Sequence, residues 1–88
     1  MKTEGVLTKK IIVKRTKDLA IVVTDNKIFS LNPKKLKIIL FGQKLPTLDE
    51  KTTLEIEFNK KYPVIIDKER GEVIIPLPTA YGNSIIKH

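Results

Sequence analysis

The chain has 88 residues, a length typical of a single domain, and a formal net charge of +7. It contains no cysteine, which excludes disulfides, thiolate nucleophiles and zinc sites with cysteine ligands. Thirteen Ile and six Val stand against two Ala, and such β-branched residues favour strands over long helices.

The apolar segments are too short to span a membrane, because none approaches about 18 residues. The first residues, Met1 to Gly5, lack the apolar core of a signal peptide. The sequence therefore predicts a soluble cytoplasmic protein with no membrane partner. Its high content of Lys, Glu and Ile is in keeping with a heat-loving host.

The first two predicted strands cover residues 6–15 and 19–24, joined by a three-residue loop over residues 16–18. In this register Val13 faces Ile21, and the register keeps the strand lysines away from the core. The predicted core face consists of Leu7, Ile11, Val13, Leu19, Ile21 and Val23. The opposite face carries Lys10 and Lys14 beside Ile12, Ala20 and Val22.

Turn residues separate the next strands. A turn at Asp25–Asn26 leads into a third strand over residues 27–31. That strand ends at Asn32–Lys35, which is typical of a type I turn with Pro33 at its second position.

Residues 36–41 are compatible with two structures. Asn32, Pro33 and Gly42 could cap a short helix over this segment. However, Lys34 would then lie at the positive end of the helix dipole, and the segment is short. We therefore favour a buried strand.

The second half of the chain continues the alternation of strands and turns. Residues 42–52 lack a strand pattern, and Thr47–Glu50 has the spacing of a capping box, sufficient for one helical turn at most. Residues 53–58 alternate between apolar and polar side chains and predict a strand. Asn59–Lys61 is predicted to turn the chain into a further strand over residues 62–67.

The strongest hairpin signal surrounds Lys68–Gly71, because Gly71 can adopt a left-handed conformation at low cost. Residues 64–66 are expected to pair with residues 73–75. Together these elements predict an all-β domain over residues 1–78, followed by a tail over residues 79–88. The expected fold is a small antiparallel barrel or sandwich, SH3-like or OB-like, with six to seven short strands.

No constellation of residues predicts catalysis, a metal site or a cofactor site. His88 is the only histidine, and it is the last residue of the sequence. Neither Ser30 nor Ser84 has a histidine base placed near it by the sequence. The glycines are isolated, so no phosphate-binding loop is present. We therefore expect a protein that is not an enzyme and holds no cofactor.

The positive charge is concentrated in one half of the chain. Residues 1–44 hold 11 basic and 3 acidic residues, whereas residues 45–88 hold 6 and 7. Most of the basic residues are lysines, which bind phosphate as mobile point charges. The predicted nucleic-acid-binding residues are Lys9, Lys10, Lys14, Arg15, Lys17, Lys34, Lys35 and Lys37.

Two functions follow from these features. The first is nucleic-acid binding that is mainly electrostatic and independent of base sequence. The alternative is a protein–protein interaction module or structural subunit, forming a homo-oligomer and having no nucleic-acid role. It is suggested by apolar residues on both faces of several strands, namely Ile12, Val22, Ile39 and Ile66.

Overall fold

Seven β-strands form most of residues 3–77, the part of the chain that the computed structural model describes. In chain order they are β1 (Thr3–Arg15), β2 (Ala20–Val23), β3 (Ile28–Leu31), β4 (Lys37–Leu40), β5 (Gln43–Lys44), β6 (Thr53–Asp67) and β7 (Glu72–Ile75). These residues contain no helix, so the all-β expectation is confirmed for residues 3–77. The proposed tail, residues 79–88, lies outside the described residues.

The strands form one sheet in the order β3-β2-β1-β6-β7-β4-β5. Neighbouring strands are antiparallel except β4 and β7, which run parallel with Ile38 opposite Val73. Within the described residues the sheet is therefore mixed and not closed into a barrel, which corrects the expectation of an antiparallel barrel. The parallel pair arises because β7 enters the sheet between β6 and β4. The connection from Leu40 to Glu72 is long enough for the crossover that parallel strands require.

One cluster of buried side chains joins the two halves of the sheet. Strands β1, β2 and β3 contribute Ile11, Val13, Ala20, Val22, Phe29 and Leu31. The other half contributes Leu36, Ile38, Val64, Ile66, Val73 and Ile75. A single flat sheet cannot exclude water from its apolar face without a second layer. The Lys68 ammonium after β6 lies 5.5 Å from the Phe29 ring of β3, and Arg15 at the end of β1 bonds to the Leu48 carbonyl, so the two halves of the sheet approach each other.

The two longest strands, β1 and β6, connect these halves. Thr8 is opposite Tyr62, but Lys10 is opposite Glu57, so residues 58–61 stand across from Lys9 alone. The prediction of two strands separated by a turn at Asn59–Lys61 is therefore wrong. Both flanks of this segment keep pairing with β1, so the segment becomes an irregularity within one strand.

The predicted pairing of β1 with β2 is shifted by one residue. Val13 is opposite Val22, not Ile21, because the connecting loop contains four residues, Thr16–Leu19. The Thr16 amide donates to the Leu19 carbonyl at 2.7 Å and closes this longer loop. Consequently Ala20 and Val22 enter the core, whereas the predicted core residues Ile21 and Val23 are half-buried and Leu19 is exposed. Leu7, also predicted to be in the core, is exposed because the register of β1 against β6 shifts between Thr8 and Lys10.

Several local predictions are confirmed. Residues 37–40 form strand β4, not a helix, and the Asn32 carbonyl accepts a hydrogen bond from the Lys35 amide at 3.0 Å in the predicted turn. In the β6–β7 hairpin Ile66 is opposite Val73, and Gly71 has a φ of 68°. No helical turn forms at Thr47–Glu50.

Thr8 fixes the irregular part of β1 and provides a stability test. Its side chain is fully buried, donates to the Lys10 carbonyl at 2.7 Å and accepts from the Asp25 amide at 2.9 Å. Thr8→Val preserves the volume but leaves both backbone groups unpaired. We expect it to lower the free energy of unfolding by about 2–4 kcal/mol in urea denaturation.

The matched control is Thr16→Val. The Thr16 hydroxyl also bonds to the backbone, donating to the Leu19 carbonyl and accepting from its amide, but this loop is exposed. Water can replace those bonds, so the control should lose less than about 1 kcal/mol. Equal losses in the two variants would contradict the buried position of Thr8.

Candidate nucleic-acid interface

A surface cleft of about 150 Å³ lies between the turn before β4 and the segment that follows β5. We call it the basic cleft, because four of its lining residues are Lys34, Lys35, Lys37 and Lys44. The other lining residues are Leu36, Ile38, Leu45, Pro46, Thr47 and Leu48. No acidic residue lines it. The cleft therefore combines an apolar base with a positively charged rim.

The first wall of the basic cleft is fixed by the Asn32–Lys35 turn. The Asn32 side-chain oxygen accepts from the Lys34 amide at 2.9 Å, and the Asn32 carbonyl accepts from the Lys35 amide at 3.0 Å. The following residue, Leu36, is buried and anchors the turn to the core. Lys34 and Lys35 are consequently exposed on a rigid turn.

The second wall depends on the pairing of β5 with β4. Ile39 is opposite Lys44, and the Leu45 amide donates to the Ile38 carbonyl at 2.8 Å. This pairing brings Lys44 to the cleft. Sequence analysis missed Lys44 because residues 42–52 carry no strand pattern. The signal that could have identified it is the turn glycine Gly42, two residues earlier.

Arg15 ties the two walls together. Its guanidinium donates from Nε to the Pro33 carbonyl and from Nη1 to the Leu48 carbonyl, each at 3.1 Å. These bonds use two of its five N–H donors inside the protein. Arg15 thus links the end of β1 to the basic cleft, and it positions the walls whether or not it also contacts a ligand.

The predicted nucleic-acid-binding residues do not all lie together in the structure. Lys9 and Arg15 are six residues apart on β1, which corresponds to roughly 20 Å along an extended strand. Lys14 lies opposite Thr53 on the exposed face, and Lys17 is exposed in the β1–β2 loop. Of the predicted residues, Lys34, Lys35 and Lys37 line the basic cleft. Arg15 bonds to both of its walls.

Lys10 is engaged in an ion pair on the outer face of the sheet. Its ammonium lies 2.8 Å from the Glu55 carboxylate. The hydrogen bond with Glu55 raises the pKa of Lys10. Both side chains are about half exposed, so the pair adds little to stability, but its charge is locally balanced.

Asp25 contacts two other basic residues, Lys9 and Lys61. The Asp25 carboxylate accepts from the Lys9 amide at 2.8 Å and lies 3.9 Å from the Lys61 ammonium. The bond from the Lys9 amide is the main cause of the lowered pKa of Asp25. The Asp25 carboxylate therefore keeps its charge to lower pH than an ordinary aspartate and partly offsets the lysines nearby.

Among residues 3–77 the lysines of the basic cleft form no ion pair. The ion pairs among residues 3–77 are Lys10–Glu55, Lys27–Glu4, Lys61–Asp25 and Arg70–Asp67. Glu72 is opposite Lys37 in the parallel β4–β7 pair, but their side chains form no ion pair in this part of the chain. Within residues 3–77 the four cleft lysines therefore form a cluster of like charge without an ion pair.

Tyr62, one of the rings that could stack on a base, has a packing role. Its ring stacks on Phe58 at 4.4 Å between centroids, and its hydroxyl donates to the Pro76 carbonyl. Burial raises the pKa of the Tyr62 hydroxyl. Tyr81, the second tyrosine of the sequence, lies outside the described residues.

Comparison with protein-family models, curated proteins and solved structures gives no significant match. Within residues 3–77 no three His, Cys, Asp or Glu side chains are grouped so that they could hold a metal ion. The same residues include no helix long and apolar enough to cross a bilayer. The chemistry of the site is therefore that of a cluster of lysines around a shallow cleft.

Proposed function

We propose that this protein binds nucleic acid through the basic cleft, mainly by electrostatic attraction and without preference for base sequence. The observation that carries the proposal is the presence of four lysines and no acidic residue in the lining of one cleft. Lysine ammonium groups neutralise phosphates without fixed geometry, and phosphate contacts carry no sequence information directly. The proposal requires neither an SH3-like nor an OB-like barrel, and the binding site is assigned to the cleft and its surroundings.

The test is fluorescence anisotropy with labelled single- and double-stranded DNA and RNA between 25 and 200 mM salt. If the four cleft lysines each neutralise one phosphate, the slope of log Kobs against log salt should be about −3.6 for duplex DNA. Two unrelated sequences of equal length should bind with similar affinity. The absence of binding at the lowest salt, or a slope near zero, would reject the proposal.

The alternative function, a homo-oligomeric interaction module, is supported by a different surface. Ile12 is opposite Val23 on the outer face, and Val23 is opposite Ile28, whose side chain is 73% exposed. Ile12 and Ile39 are only half-buried, as an interface with a second copy requires. Val22 and Ile66, in contrast, are fully buried in the core.

Light scattering at high protein concentration separates the two functions. A dimer that Ile28→Lys dissociates would support the outer face as an interface. A strict monomer that binds DNA would support the nucleic-acid function alone. The lack of enzymatic activity and the cytoplasmic location stay predictions from sequence.

A further inference from the structure

Phe41 occupies an unusual position for a large aromatic residue. Leu40 is opposite Gln43, so Phe41 and Gly42 form a two-residue turn between β4 and β5. Their φ angles are 51° and 82°, both positive, as a type I′ turn requires. Asn, Asp or Gly normally fills the first position, and a bulky side chain there is an outlier.

Phe41 is also 42% exposed as a residue. The residue therefore combines an unfavourable backbone conformation with incomplete burial, and neither local propensity nor core packing accounts for phenylalanine at this position. Backbone strain of this kind is concentrated at functional sites.

The surrounding residues hold the ring in place. Phe41 contacts Tyr62 edge to face, with 6.4 Å between centroids and an interplanar angle of 73°. Tyr62 is itself fixed by stacking on Phe58 and by its bond to the Pro76 carbonyl. The exposed part of the Phe41 ring is thus presented by a supported group, which lowers the entropic cost of binding a flat partner.

The charges near Phe41 match a nucleic-acid strand. Lys44, which lines the basic cleft, follows the turn by two residues. Lys61 directly precedes Tyr62, the ring in contact with Phe41, but its ammonium is directed to Asp25. The positive charge closest to Phe41 in the chain is therefore that of Lys44, and single-strand binders combine such phosphate contacts with base stacking on an aromatic ring.

We propose that Phe41 is a stacking platform for an unpaired base, so that the protein prefers single-stranded nucleic acid to duplex. This inference rests on the proposed nucleic-acid function and adds the class of ligand. Paired bases inside a duplex are stacked on one another and cannot offer a free face to the ring. Phosphates remain bound by the lysines of the basic cleft in both cases.

The variant Phe41→Asn tests the proposal. Asparagine tolerates a positive φ, so the variant should fold with a melting temperature at least equal to that of the natural chain. Stacking on one base is worth an amount that corresponds to about a 5- to 150-fold change in affinity. We expect Phe41→Asn to lose that factor for single-stranded DNA or RNA and to change duplex affinity less than about twofold.

Two further variants complete the test. Phe41→Trp should keep the affinity for single strands, because a larger ring preserves stacking. Ile28→Asn removes an even more exposed apolar side chain from β3 and should leave binding unchanged. Equal affinity of the natural chain for single strands and duplex, or no effect of Phe41→Asn, would overturn the stacking role while leaving the lysine site intact. Failure of the natural chain to bind any nucleic acid at low salt would instead reject the proposed function itself.

Discussion

Replacing three cleft lysines together, as Lys34→Gln, Lys37→Gln and Lys44→Gln, is expected to weaken nucleic-acid binding on the order of 100-fold at 100 mM salt. Each phosphate contact contributes about 0.9 to the salt slope on duplex DNA, so the slope should become shallower by between about two and three units. Lys35 is kept because its backbone and Cβ atom lie close to Gly71 in the neighbouring turn. The measurement is the same anisotropy titration used for the natural chain.

The matched control replaces Lys51, Lys60 and Lys68 by glutamine. These lysines are exposed and do not line the basic cleft. Both triple variants lower the formal net charge of +7 by three, so they differ only in where charge is lost. The control should lose only a few-fold in affinity. If both variants weaken binding equally, attraction depends on total charge and the cleft is not a site.

Gly71→Ala is expected to lower the free energy of unfolding by about 2–4 kcal/mol. Gly71 has a φ of 68°, where a Cβ atom costs about 1–2 kcal/mol. A Cβ atom at this position would also lie 3.0 Å from Lys35 Cβ and 3.1 Å from the Lys35 carbonyl carbon and oxygen. Backbone atoms cannot rotate away as a flexible side chain can, so the clash adds to the conformational cost. Urea denaturation measures the sum.

Gly42→Ala separates the two contributions. Gly42 has a φ of 82°, but a Cβ atom there would meet nothing within 4 Å. It should therefore show only the conformational cost of about 1–2 kcal/mol. A loss in Gly71→Ala no larger than in Gly42→Ala would mean that the β6–β7 turn does not pack against Lys35. Because the Lys37 amide also donates to the Gly71 carbonyl at 2.9 Å, Gly71→Ala should weaken nucleic-acid binding as well.

Elements defined by local chemistry were predictable from sequence. The β6–β7 hairpin follows from Gly71, and the turn before β4 follows from Asn32 and Pro33. In both cases a few adjacent residues determine the backbone conformation.

Elements defined by pairing between distant residues were not predictable in the same way. The register of β1 and β2 depends on one additional loop residue, Leu19, and a shift of one residue exchanges the two faces of β2. Asn59–Lys61 has turn chemistry, yet continued pairing with β1 on both flanks keeps β6 as one strand. The parallel pairing of β4 with β7 leaves no periodic signal in either strand.

The candidate site likewise contains residues that the sequence identifies and residues that only strand pairing brings together. Lys34, Lys35 and Lys37 are neighbours in sequence and were identified as a cluster. Lys44 joins them only through the β4–β5 pairing. The position of Phe41 likewise depends on a turn whose first residue contradicts the usual preference for Asn or Gly.

The place of β7 between β6 and β4 also sets an order of events during protein synthesis. The β4–β5 hairpin leaves the ribosome well before residues 72–75, so its neighbour in the sheet does not yet exist. Until β7 emerges, β4 presents an unpaired edge, and Lys37 has no Gly71 carbonyl to bond. A nascent chain should therefore acquire its affinity for nucleic acid late, after nearly all of the described sheet has been made.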